Sequence, residues 1–600
     1  MPGPASSFSS DARNLPDASG QAGEPNARAA RFLERIASLL SARGENPFRV
    51  RAYQEAAARI GAMSENILDV WREGRLQSIR GIGPSIAAKL EEFLATGQSR
   101  YLAELEAATP AGIEELLEIP GIGPSRARLL IERLGVQTPQ ELIAAAEEHR
   151  LRGLPGFGPR LEQELLIAAR RQTQRQHRLL LGTAWPIADQ LIEYLRTDPL
   201  VREASPAGSL RRMCETIGDI DLLAASERPA EVIDHFVHLP VVAEIRAHGP
   251  TRATVLLYSG LQVDLRVVSA RSWGAALQYF TGSKLHNIAL RDLAISRGLK
   301  LNEYGVFDEQ TGRRLAGETE EEVYHALGLD WMPPELREDR GEIQAALDHH
   351  LPILVERGDI NGDAHVHSDW SDGTASIEAM ARAARSMGLS YLMITDHSPG
   401  LAVARGLTAE RFQQQQQEIQ RLNRRLAPFW IGWGAEVDIT PVGTLDLPDS
   451  ILTALDYVAV AVHSRFQMGR EAMTRRILTA LRNPRVHALC HPRGRLLGQR
   501  EGYEVDLEAV LRAAVAAGVA IEINGQPQRL DLPDTWVRRA RELGCQFVIG
   551  SDAHGPAHVQ FLRYGVAVAR RGWLSSADIL TTLPTEPWVA WLRQKSRQAA

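Results

Sequence analysis

The chain has 600 residues, of which 44% are hydrophobic, and its formal net charge at pH 7 is −6. A single hydrophobic core stops growing near about 250–300 residues, so this length excludes a single-domain protein. The three cysteines exclude a disulfide framework, and we find neither a signal pattern nor an apolar run of about 18–20 residues, so we expect a cytoplasmic protein that does not enter a membrane.

The first part of the chain is predicted to be a disordered tail followed by helices. Residues 1–25 are rich in Ser, Pro, Gly, Ala and Asn and lack hydrophobic periodicity. From Asn26 onward, apolar residues recur with the i, i+3, i+4 spacing of amphipathic helices. Three related segments interrupt these helices: Ile-Arg-Gly-Ile-Gly-Pro at 79–84, Ile-Pro-Gly-Ile-Gly-Pro at 119–124 and Leu-Pro-Gly-Phe-Gly-Pro at 154–159.

The three Gly-x-Gly-Pro segments predict helix–hairpin–helix motifs. Glycine permits positive φ and close backbone approach, and proline favours the first turn of the next helix. The free N–H groups at that helix start can bind phosphate without reading base sequence. One such segment is more often a plain tight turn, but three copies favour duplex binding. The predicted DNA-binding residues are Gly81, Gly83, Gly121, Gly123, Gly156 and Gly158.

A pair of carboxylates follows on a predicted strand. The sequence reads Gly208-Ser209-Leu210-Arg211-Arg212 and then Gly218-Asp219-Ile220-Asp221-Leu222. Residues two apart on a strand share a face, so Asp219 and Asp221 should lie side by side, with Ile220 and Leu222 toward the core. Such carboxylates suit two Mg²⁺ or Mn²⁺ ions that clamp a phosphoryl transfer. An Asp-x-Asp pair alone is weak evidence of a catalytic site, but the nearby Gly-Ser and Arg212 make the pattern specific.

Two further segments extend this site. Residues 261–268 alternate as a second strand, with Asp264 on the face of Gln262 and Arg266. The segment Tyr279-Phe280-Thr281-Gly282-Ser283 then precedes a helix that contains Asn287 and Arg291. A core aromatic pair remains an alternative interpretation of the two rings.

Together these motifs resemble family X DNA polymerases, the family of DNA polymerase beta. The resemblance implies that Asp219, Asp221 and Asp264 bind two metal ions and that Asp264 takes the proton of the primer 3′-hydroxyl. It also implies binding of the incoming nucleotide by Ser209, Arg212, Gly218, Tyr279, Phe280, Gly282 and Asn287, and of the template strand by Arg291. Lys284 and His286 depart from polymerase beta.

The resemblance also singles out Lys89, one turn into the helix after the first hairpin. There the polymerase beta family carries the nucleophile of its deoxyribose-phosphate lyase, an amine that forms a Schiff base with an abasic sugar. Arg49 would lie near the 5′-phosphate. A solvated helix lysine is the alternative, and Ser85 replaces a second lysine of polymerase beta.

From about Gly358 short apolar strands alternate with amphipathic helices, which predicts a barrel with its site at the carboxyl ends of the strands. Nine potential ligands stand at such ends: His365, His367, Asp372, His397, Glu436, His463, His491, Asp552 and His554. A single His there is more often a packed core residue, but the set could hold about three Mn²⁺, Zn²⁺ or Fe ions.

This region resembles the PHP (polymerase and histidinol phosphatase) domain. The resemblance implies metal-dependent phosphoester hydrolysis: a 3′→5′ exonuclease, with cleavage at abasic sites or removal of 3′-phosphates as further activities. Arg405 and Arg529 would bind DNA phosphate, although solvated surface arginines fit the sequence nearly as well.

The predicted protein is multidomain: a helical helix–hairpin–helix region, an α/β nucleotidyltransferase palm with a thumb-like subdomain, and a (β/α)7-type barrel. The boundaries are 1–25 for the tail, 26–105 for a domain similar to the 8-kDa domain, 106–176 for the tandem helix–hairpin–helix region, 177–268 for the palm, 269–330 for the thumb-like subdomain, 331–357 for a linker and 358–590 for the PHP domain.

The predicted function is gap filling during base excision or end repair, by a nucleoid-associated monomer acting on gapped or nicked DNA with deoxynucleoside triphosphates. Three alternatives stay open: a template-independent nucleotidyltransferase, a DNA-binding scaffold with relic sites, and a PHP half that acts as a small-molecule phosphatase.

Overall fold

The computed structural model describes residues 23–43, 45–63, 65–107, 112–117, 119, 121–175 and 178–597. Residues 1–22 of the predicted tail and Pro120 of the second Gly-x-Gly-Pro segment lie outside the described residues. The first helix begins at Gly23 rather than at Asn26. None of the described helices has the length and apolarity that a membrane crossing needs.

The N-terminal domain is a helical bundle around its own hydrophobic core. Its helices are α1 (Gly23–Ala42), α2 (Pro47–Ala62), α3 (Ile67–Arg72), α4 (Pro84–Thr96) and α5 (Arg100–Ala107), with a 3₁₀ turn at Leu76–Ser78. Local chemistry sets their starts: the Asn46 side chain accepts from the backbone N–H of Phe48, and Pro47 opens α2.

A second helical unit has a separate core. Its helices are α6 (Ile113–Leu117), α7 (Pro124–Leu134), α8 (Pro139–Glu147) and α9 (Pro159–Arg175), with a 3₁₀ turn at Arg150–Gly153. Thr138 and Glu141 form a capping box at the start of α8, so two otherwise unpaired N–H groups find acceptors.

The palm is a five-stranded sheet in the order β2-β4-β7-β6-β5, covered by helices. Its elements are β1 (Leu179–Leu180), α10 (Leu181–Thr197), β2 (Glu203–Pro206), α11 (Gly208–Arg211), β3 (Thr216–Ile217), β4 (Ile220–Ala225), α12 (Pro229–Val237), β5 (Val242–His248), β6 (Arg252–Leu257) and β7 (Gln262–Val268). The central pair β4 and β7 is parallel, and its register places Asp221 directly opposite Asp264.

The thumb-like subdomain packs three helices on a small antiparallel sheet. It contains α13 (Trp273–Thr281), α14 (Lys284–Ser296), β8 (Leu299–Asn302), β9 (Gly305–Asp308), β10 (Arg314–Ala316) and α15 (Glu320–Ala326), with a 3₁₀ turn at Ala270–Ser272. The connection to the next domain contains a 3₁₀ turn at Pro334–Leu336 and α16 (Glu342–Leu347). His286 is fully buried and lies 2.6 Å from Glu342 through Nδ1 and 3.1 Å from the Tyr324 hydroxyl through Nε2. This departure from polymerase beta therefore belongs to the subdomain core.

Seven parallel strands form the C-terminal sheet in chain order from β11 to β17. The elements are β11 (Gly362–Val366), α17 (Ile377–Ser386), β12 (Tyr391–Ile394), α18 (Ala409–Leu426), β13 (Trp430–Asp438), α19 (Asp449–Ala454), β14 (Tyr457–Ala461), α20 (Arg470–Leu481), β15 (Ala488–Leu489), α21 (Leu507–Ala517), β16 (Ala520–Asn524), α22 (Asp534–Glu542), β17 (Phe547–Gly550), α23 (Leu562–Arg571) and α24 (Thr585–Arg597). Val366 bridges Ala553 in parallel, so the first and last strands meet and the predicted barrel is confirmed.

The palm and the barrel share one hydrophobic core. Palm residues such as Leu181 and barrel residues such as Leu562 belong to the same buried cluster. Gly182 lies so close to the barrel that an added Cβ would sit 2.4 Å from the side chain of Pro527. A salt bridge of 2.7 Å joins Glu215 of the palm to Arg495 of the barrel. The two domains are therefore packed as one body around this contact.

Candidate metal centres

The first candidate centre consists of three carboxylates at one end of β4 and β7. Asp219 lies just before β4, and oxygens of Asp219, Asp221 and Asp264 lie within 4.8 Å of one another. Ile220 and Leu222 are buried behind them, as the alternation predicted. Gly208 has a φ of +57°, and an added Cβ there would lie 2.2 Å from the Asp221 carboxylate, so only glycine fits this approach.

Neighbouring polar groups fix the Asp264 carboxylate. It accepts from Gln262 at 2.9 Å, from Arg252 at 3.2 Å and from the Thr254 hydroxyl. Burial, together with repulsion from Asp219 and Asp264, raises the pKa of Asp221 to about 7. Three carboxylates at this spacing fit divalent cations, which would neutralise their mutual repulsion.

Repulsion among the three carboxylates should lower the free energy of unfolding of the metal-free palm. Because the pKa of Asp221 is raised in the folded protein, protonation of this carboxyl favours the folded state. That stabilisation is fully present below about pH 4 and is lost as the pH rises through 7. Without metal at pH 8, Asp221→Asn should therefore unfold several degrees higher than wild type, since roughly 1 kcal/mol shifts the unfolding temperature of a domain the size of the palm by about 4–8 °C.

Thermal unfolding of both proteins at pH 8 and at pH 4, with chelator present, measures this effect. The two unfolding temperatures should become equal at pH 4. At pH 8 with Mg²⁺ the wild type should unfold at the higher temperature, because the ion stabilises it. An equal unfolding temperature at pH 8 would contradict the prediction.

The predicted nucleotide turn lies beside this centre. The Tyr279 and Phe280 rings meet edge to face at 5.1 Å, and the guanidinium of Arg266 on β7 lies 4.6 Å from the Phe280 ring centre. The Asn287 side chain donates to the Tyr279 carbonyl at 2.7 Å. An added Cβ at Gly282 would lie 2.6 Å from Asn287 Oδ1, so the turn and the asparagine are tightly packed.

The remaining predicted nucleotide- and template-binding residues lie in three places: Ser209 and Arg212 at α11, Gly218 just before β4, and Arg291 on α14 of the thumb-like subdomain. The Ser209 carbonyl accepts from Cys214, Gly218 lies against Arg178, and Arg291 is exposed on α14. The Arg212 guanidinium donates to the Thr281 carbonyl at 2.7 Å and to Glu338 at 3.0 Å. Its pairing with Glu338 was not expected from the sequence, because Glu338 lies in the predicted linker.

Lys89 belongs to a separate cluster in the N-terminal domain. Its ammonium lies 4.7 Å from the centre of the Tyr101 ring and donates to Ser85 at 3.0 Å. Arg49 donates to the Tyr101 hydroxyl at 2.7 Å. Burial and the charge of Arg49 lower the pKa of Lys89, which favours a nucleophilic amine.

The three hairpins have matching backbone geometry. The first glycines, Gly81, Gly121 and Gly156, have φ of +87°, +93° and +82°, a left-handed conformation that favours glycine. An added Cβ would meet nothing within 4 Å at the second glycines, Gly83, Gly123 and Gly158. The start of each following helix is therefore open to a phosphate from outside.

The second candidate centre lies at the carboxyl ends of the barrel strands, where the sequence predicted it. Ligand atoms within 4.8 Å of one another form four overlapping groups. Three consist of predicted positions: His367, Asp372, His397 and His554; His365, His367 and Asp552; and His397, Glu436 and His463. The fourth joins His365 to Cys490 and Glu522. His491 joins them through Nε2, which lies 2.7 Å from Glu436 Oε1. All nine predicted positions thus meet in one place.

Buried ring nitrogens without hydrogen bonds show that the residues fit metal ions. Among the described residues, these include Nδ1 of His367, His397, His463 and His491. A buried polar atom without a partner is costly, and a cation bound to imidazole removes that cost. His491 and Asp552 also have left-handed φ of 26° and 53°, and strained backbone of this kind concentrates at functional sites.

Titratable groups at the barrel centre lie close enough to shift one another's pKa values. Burial and the neighbouring His554 and His397 lower the pKa of His367 to about 3. Burial opposes the charged form of His463 as well, but the Glu436 carboxylate outweighs it, and the pKa of His463 rises to about 9. Imidazole and carboxylate are therefore interleaved, which suits ions that take both nitrogen and oxygen ligands.

Supporting residues around this centre were not identified as such from the sequence. Glu522 on β16 lies 2.6 Å from His365 Nδ1 and accepts from the His491 backbone at 2.7 Å, and Asn524 donates to Asp552 at 3.1 Å. Partners of this kind fix the orientation of metal ligands. The sequence signal that could have identified them is the presence of Glu522 and Asn524 in an otherwise apolar strand, Ala-Ile-Glu-Ile-Asn.

The two predicted phosphate-binding arginines differ in position. Arg529 Nε lies 3.2 Å from Asp552 Oδ2, so its guanidinium borders the centre. Arg405 is exposed and has a φ of 59°, and its carbonyl accepts from Arg411.

Four family models match the chain. They are a helix–hairpin–helix domain at residues 24–99, a SAM-like helix–hairpin–helix tandem at 113–171, the DNA polymerase beta thumb at 276–338 and the PHP domain at 363–526. Their order is the predicted order of domains.

One curated relative matches nearly the whole chain, and others match only about a third of it. The DNA polymerase/3′-5′ exonuclease PolX of Bacillus subtilis is 38% identical over 566 residues, 94% of this chain and 98% of the relative. A probable phosphatase of Syntrophotalea carbinolica is 33% identical over 203 residues, 32% of this chain and 79% of the relative. A probable phosphatase of a Thermoanaerobacter species is 30% identical over 234 residues, 37% of this chain and 89% of the relative. The full-length match and the four domains show that the chain belongs to the bacterial family X DNA polymerases that carry a C-terminal PHP domain.

Proposed function

We propose that this protein is a template-directed DNA polymerase with a 3′→5′ exonuclease in its PHP domain, the two activities that the B. subtilis relative is named for. The observation that carries the proposal is the coexistence of two complete candidate centres, three carboxylates on β4 and β7 and nine ligands at the barrel mouth. We further propose that it fills short gaps on nucleoid DNA during base excision or end repair.

In the polymerase reaction, Asp219, Asp221 and Asp264 would hold two Mg²⁺ or Mn²⁺ ions. When bound, these ions would supply stabilisation of the charge on the phosphoryl oxygens and on the leaving group. Asp264 accepts the proton of the primer 3′-hydroxyl, and Arg252 and Gln262 keep its carboxylate oriented for that transfer. Ser209, Arg212 and Gly218 bind the triphosphate, while Tyr279, Phe280, Gly282 and Asn287 enclose the sugar and the base.

In the exonuclease reaction, the nine predicted barrel ligands would hold about three Mn²⁺, Zn²⁺ or Fe ions, which would supply a metal-activated water. Glu522 and Asn524 orient His365 and Asp552, and Arg529 offers its guanidinium to the scissile phosphate at the edge of the centre. Removal of a 3′-phosphate and cleavage at an abasic site would use the same residues.

A gapped duplex with a labelled primer tests the proposal. With Mn²⁺ and one dNTP at a time, wild type should extend the primer only with the nucleotide complementary to the template. Without dNTPs it should shorten the primer from its 3′ end. Extension with all four nucleotides in the absence of a template strand would favour the template-independent nucleotidyltransferase, and inactivity with every metal would favour the scaffold.

A small-molecule phosphatase remains the second candidate for the PHP domain, since the probable phosphatases align with this part of the chain. Comparing kcat/KM for a 3′-ended oligonucleotide with that for a small phosphomonoester decides between them. The exonuclease predicts a preference for the oligonucleotide of at least about 10²-fold, because only DNA can use additional phosphate contacts.

Lys89 is proposed as the lyase nucleophile. Borohydride should trap a covalent complex between wild type and a 5′-deoxyribose-phosphate end, because a Schiff base forms at the amine. Lys89→Arg keeps the charge beside Tyr101 but cannot form the imine, so trapping should fall by more than about 10²-fold. Equal trapping by the two proteins would exclude Lys89 as the nucleophile.

A further inference from the structure

Arg212 lies at the junction of the palm, the thumb-like subdomain and the PHP domain. Its guanidinium contacts the carbonyl of Thr281, within the nucleotide turn, and the carboxylate of Glu338, in the connection between the thumb-like subdomain and the PHP domain. The side chain is 13% exposed. An arginine predicted to bind triphosphate is therefore held in place from the thumb side.

Arg571, the last residue of α23 in the PHP domain, completes this arrangement. Its Nη1 donates to the backbone carbonyl of Arg212 at 2.8 Å and to Glu338 Oε1 at 3.0 Å. Its Nη2 lies 2.8 Å from Asp534, which also pairs with Arg340 at 2.9 Å. One guanidinium of the PHP domain thus contacts both the backbone of Arg212 and the carboxylate that binds its side chain.

The charges of this network remain ionised near neutral pH. Burial opposes the ionised form of Glu338, but Arg571 and Arg212 outweigh it and lower its pKa to about 2. The pKa of Asp534 is also held well below its usual range, against the effect of burial, by Arg340 and Arg571. Removal of one member of such a buried set leaves its partners unpaired, which displaces them.

We propose that Arg571 is a positioning residue for the polymerase site: the PHP domain fixes Arg212 in the orientation that binds the triphosphate of the incoming nucleotide. The inference rests on the proposed polymerase function. It explains why the palm and the PHP domain are packed as one body, and it gives the PHP domain a role in nucleotide binding that is independent of its own metal centre. Binding groups act only when they are held close to the productive geometry, so a loosened Arg212 should weaken nucleotide binding.

The neighbouring Arg570 provides a matched control. It also joins α23 to the connection, with salt bridges of 2.8 Å to Glu335 and 2.6 Å to Glu356 and a hydrogen bond to the Val355 carbonyl. Arg570→Ala therefore removes a docking contact on the same helix whose partners include neither Arg212 nor Glu338.

The test is steady-state insertion of one nucleotide into a gapped duplex by the full-length protein. Arg571→Ala should raise KM for the dNTP by about tenfold, the usual effect of losing hydrogen bonds to charged groups, with kcat within about twofold of wild type. Arg571→Lys should recover part of the affinity. Arg570→Ala should keep KM within about twofold of wild type, and primer shortening should be unchanged in all three variants.

Equal KM values for Arg571→Ala and Arg570→Ala, raised or not, would overturn the inference. If Arg571→Ala does not fold, as shown by loss of primer shortening, Glu338→Gln takes its place, because it removes the charge that Arg571 and Arg212 share. A raised KM in Glu338→Gln supports the inference, and an unchanged KM rejects it. Failure of the wild type itself to extend a templated primer rejects the proposed function, which is a separate result.

Discussion

Asp219→Asn/Asp221→Asn is expected to lose primer extension by more than about 10³-fold, because clamping by two metal ions supplies several kcal/mol of transition-state stabilisation. The three carboxylates of this site lie within 4.8 Å of one another, so each ion depends on more than one of them. Asparagine keeps the shape of aspartate but removes the negative charge that binds the cation.

The same variant should still shorten the primer at the wild-type rate, since the barrel ligands are untouched. Both rates are measured on one gapped duplex with a labelled primer, with and without dNTPs. Asp234→Asn is the matched control, because Asp234 is a palm acid that pairs with His248 at 2.8 Å outside the site. If the double variant extends the primer as well as this control does, the assignment of the polymerase centre is wrong.

Glu436→Gln is expected to abolish primer shortening, by more than about 10³-fold, and to leave extension intact. Glu436 is the centre of the barrel site. Imidazole nitrogens of five residues lie 2.7–3.7 Å from its carboxylate oxygens, those of His365, His367, His397, His463 and His491. Loss of this charge removes the anion shared by the surrounding ligands, so bound metal should be lost as well.

Elemental analysis of the purified protein measures the metal, and the primer assay measures the two activities. Glu418→Gln is the matched control: this barrel acid accepts from the Trp370 indole at 3.0 Å, away from the ligands. Exonuclease activity and metal content in Glu436→Gln that equal those of Glu418→Gln would show that the barrel centre is not the nuclease.

Motifs with local signals can be identified from the sequence alone. The pair Asp219 and Asp221 follows from strand alternation, and the Gly-x-Gly-Pro hairpins follow from the backbone freedom of glycine and the helix-start preference of proline. The nine candidate barrel ligands were recognisable because they stand within, or up to six residues after, short apolar strands. In each case the signal is a short local motif that can be recognised without knowing which distant segments it contacts.

Contacts between distant segments required the tertiary structure. Asp221 faces Asp264 because β4 and β7 are neighbours in register, which periodicity cannot specify. Glu522 could not be assigned to His365, 157 positions away, from the strand sequence alone. The start of α1 at Gly23 also differed from the predicted tail boundary, since a weakly periodic helix start gives little local signal.

The sequence by itself determined the family of this protein, and it predicted two sets of candidate metal ligands and three candidate phosphate-binding hairpins. Only the tertiary structure decided how the domains are coupled. Arg571 and Glu338 lie 233 residues apart, and no local sequence pattern indicates that they pair. They pair because the packing of α23 against the palm removes water from both, and a buried charge is stable only beside an opposite one.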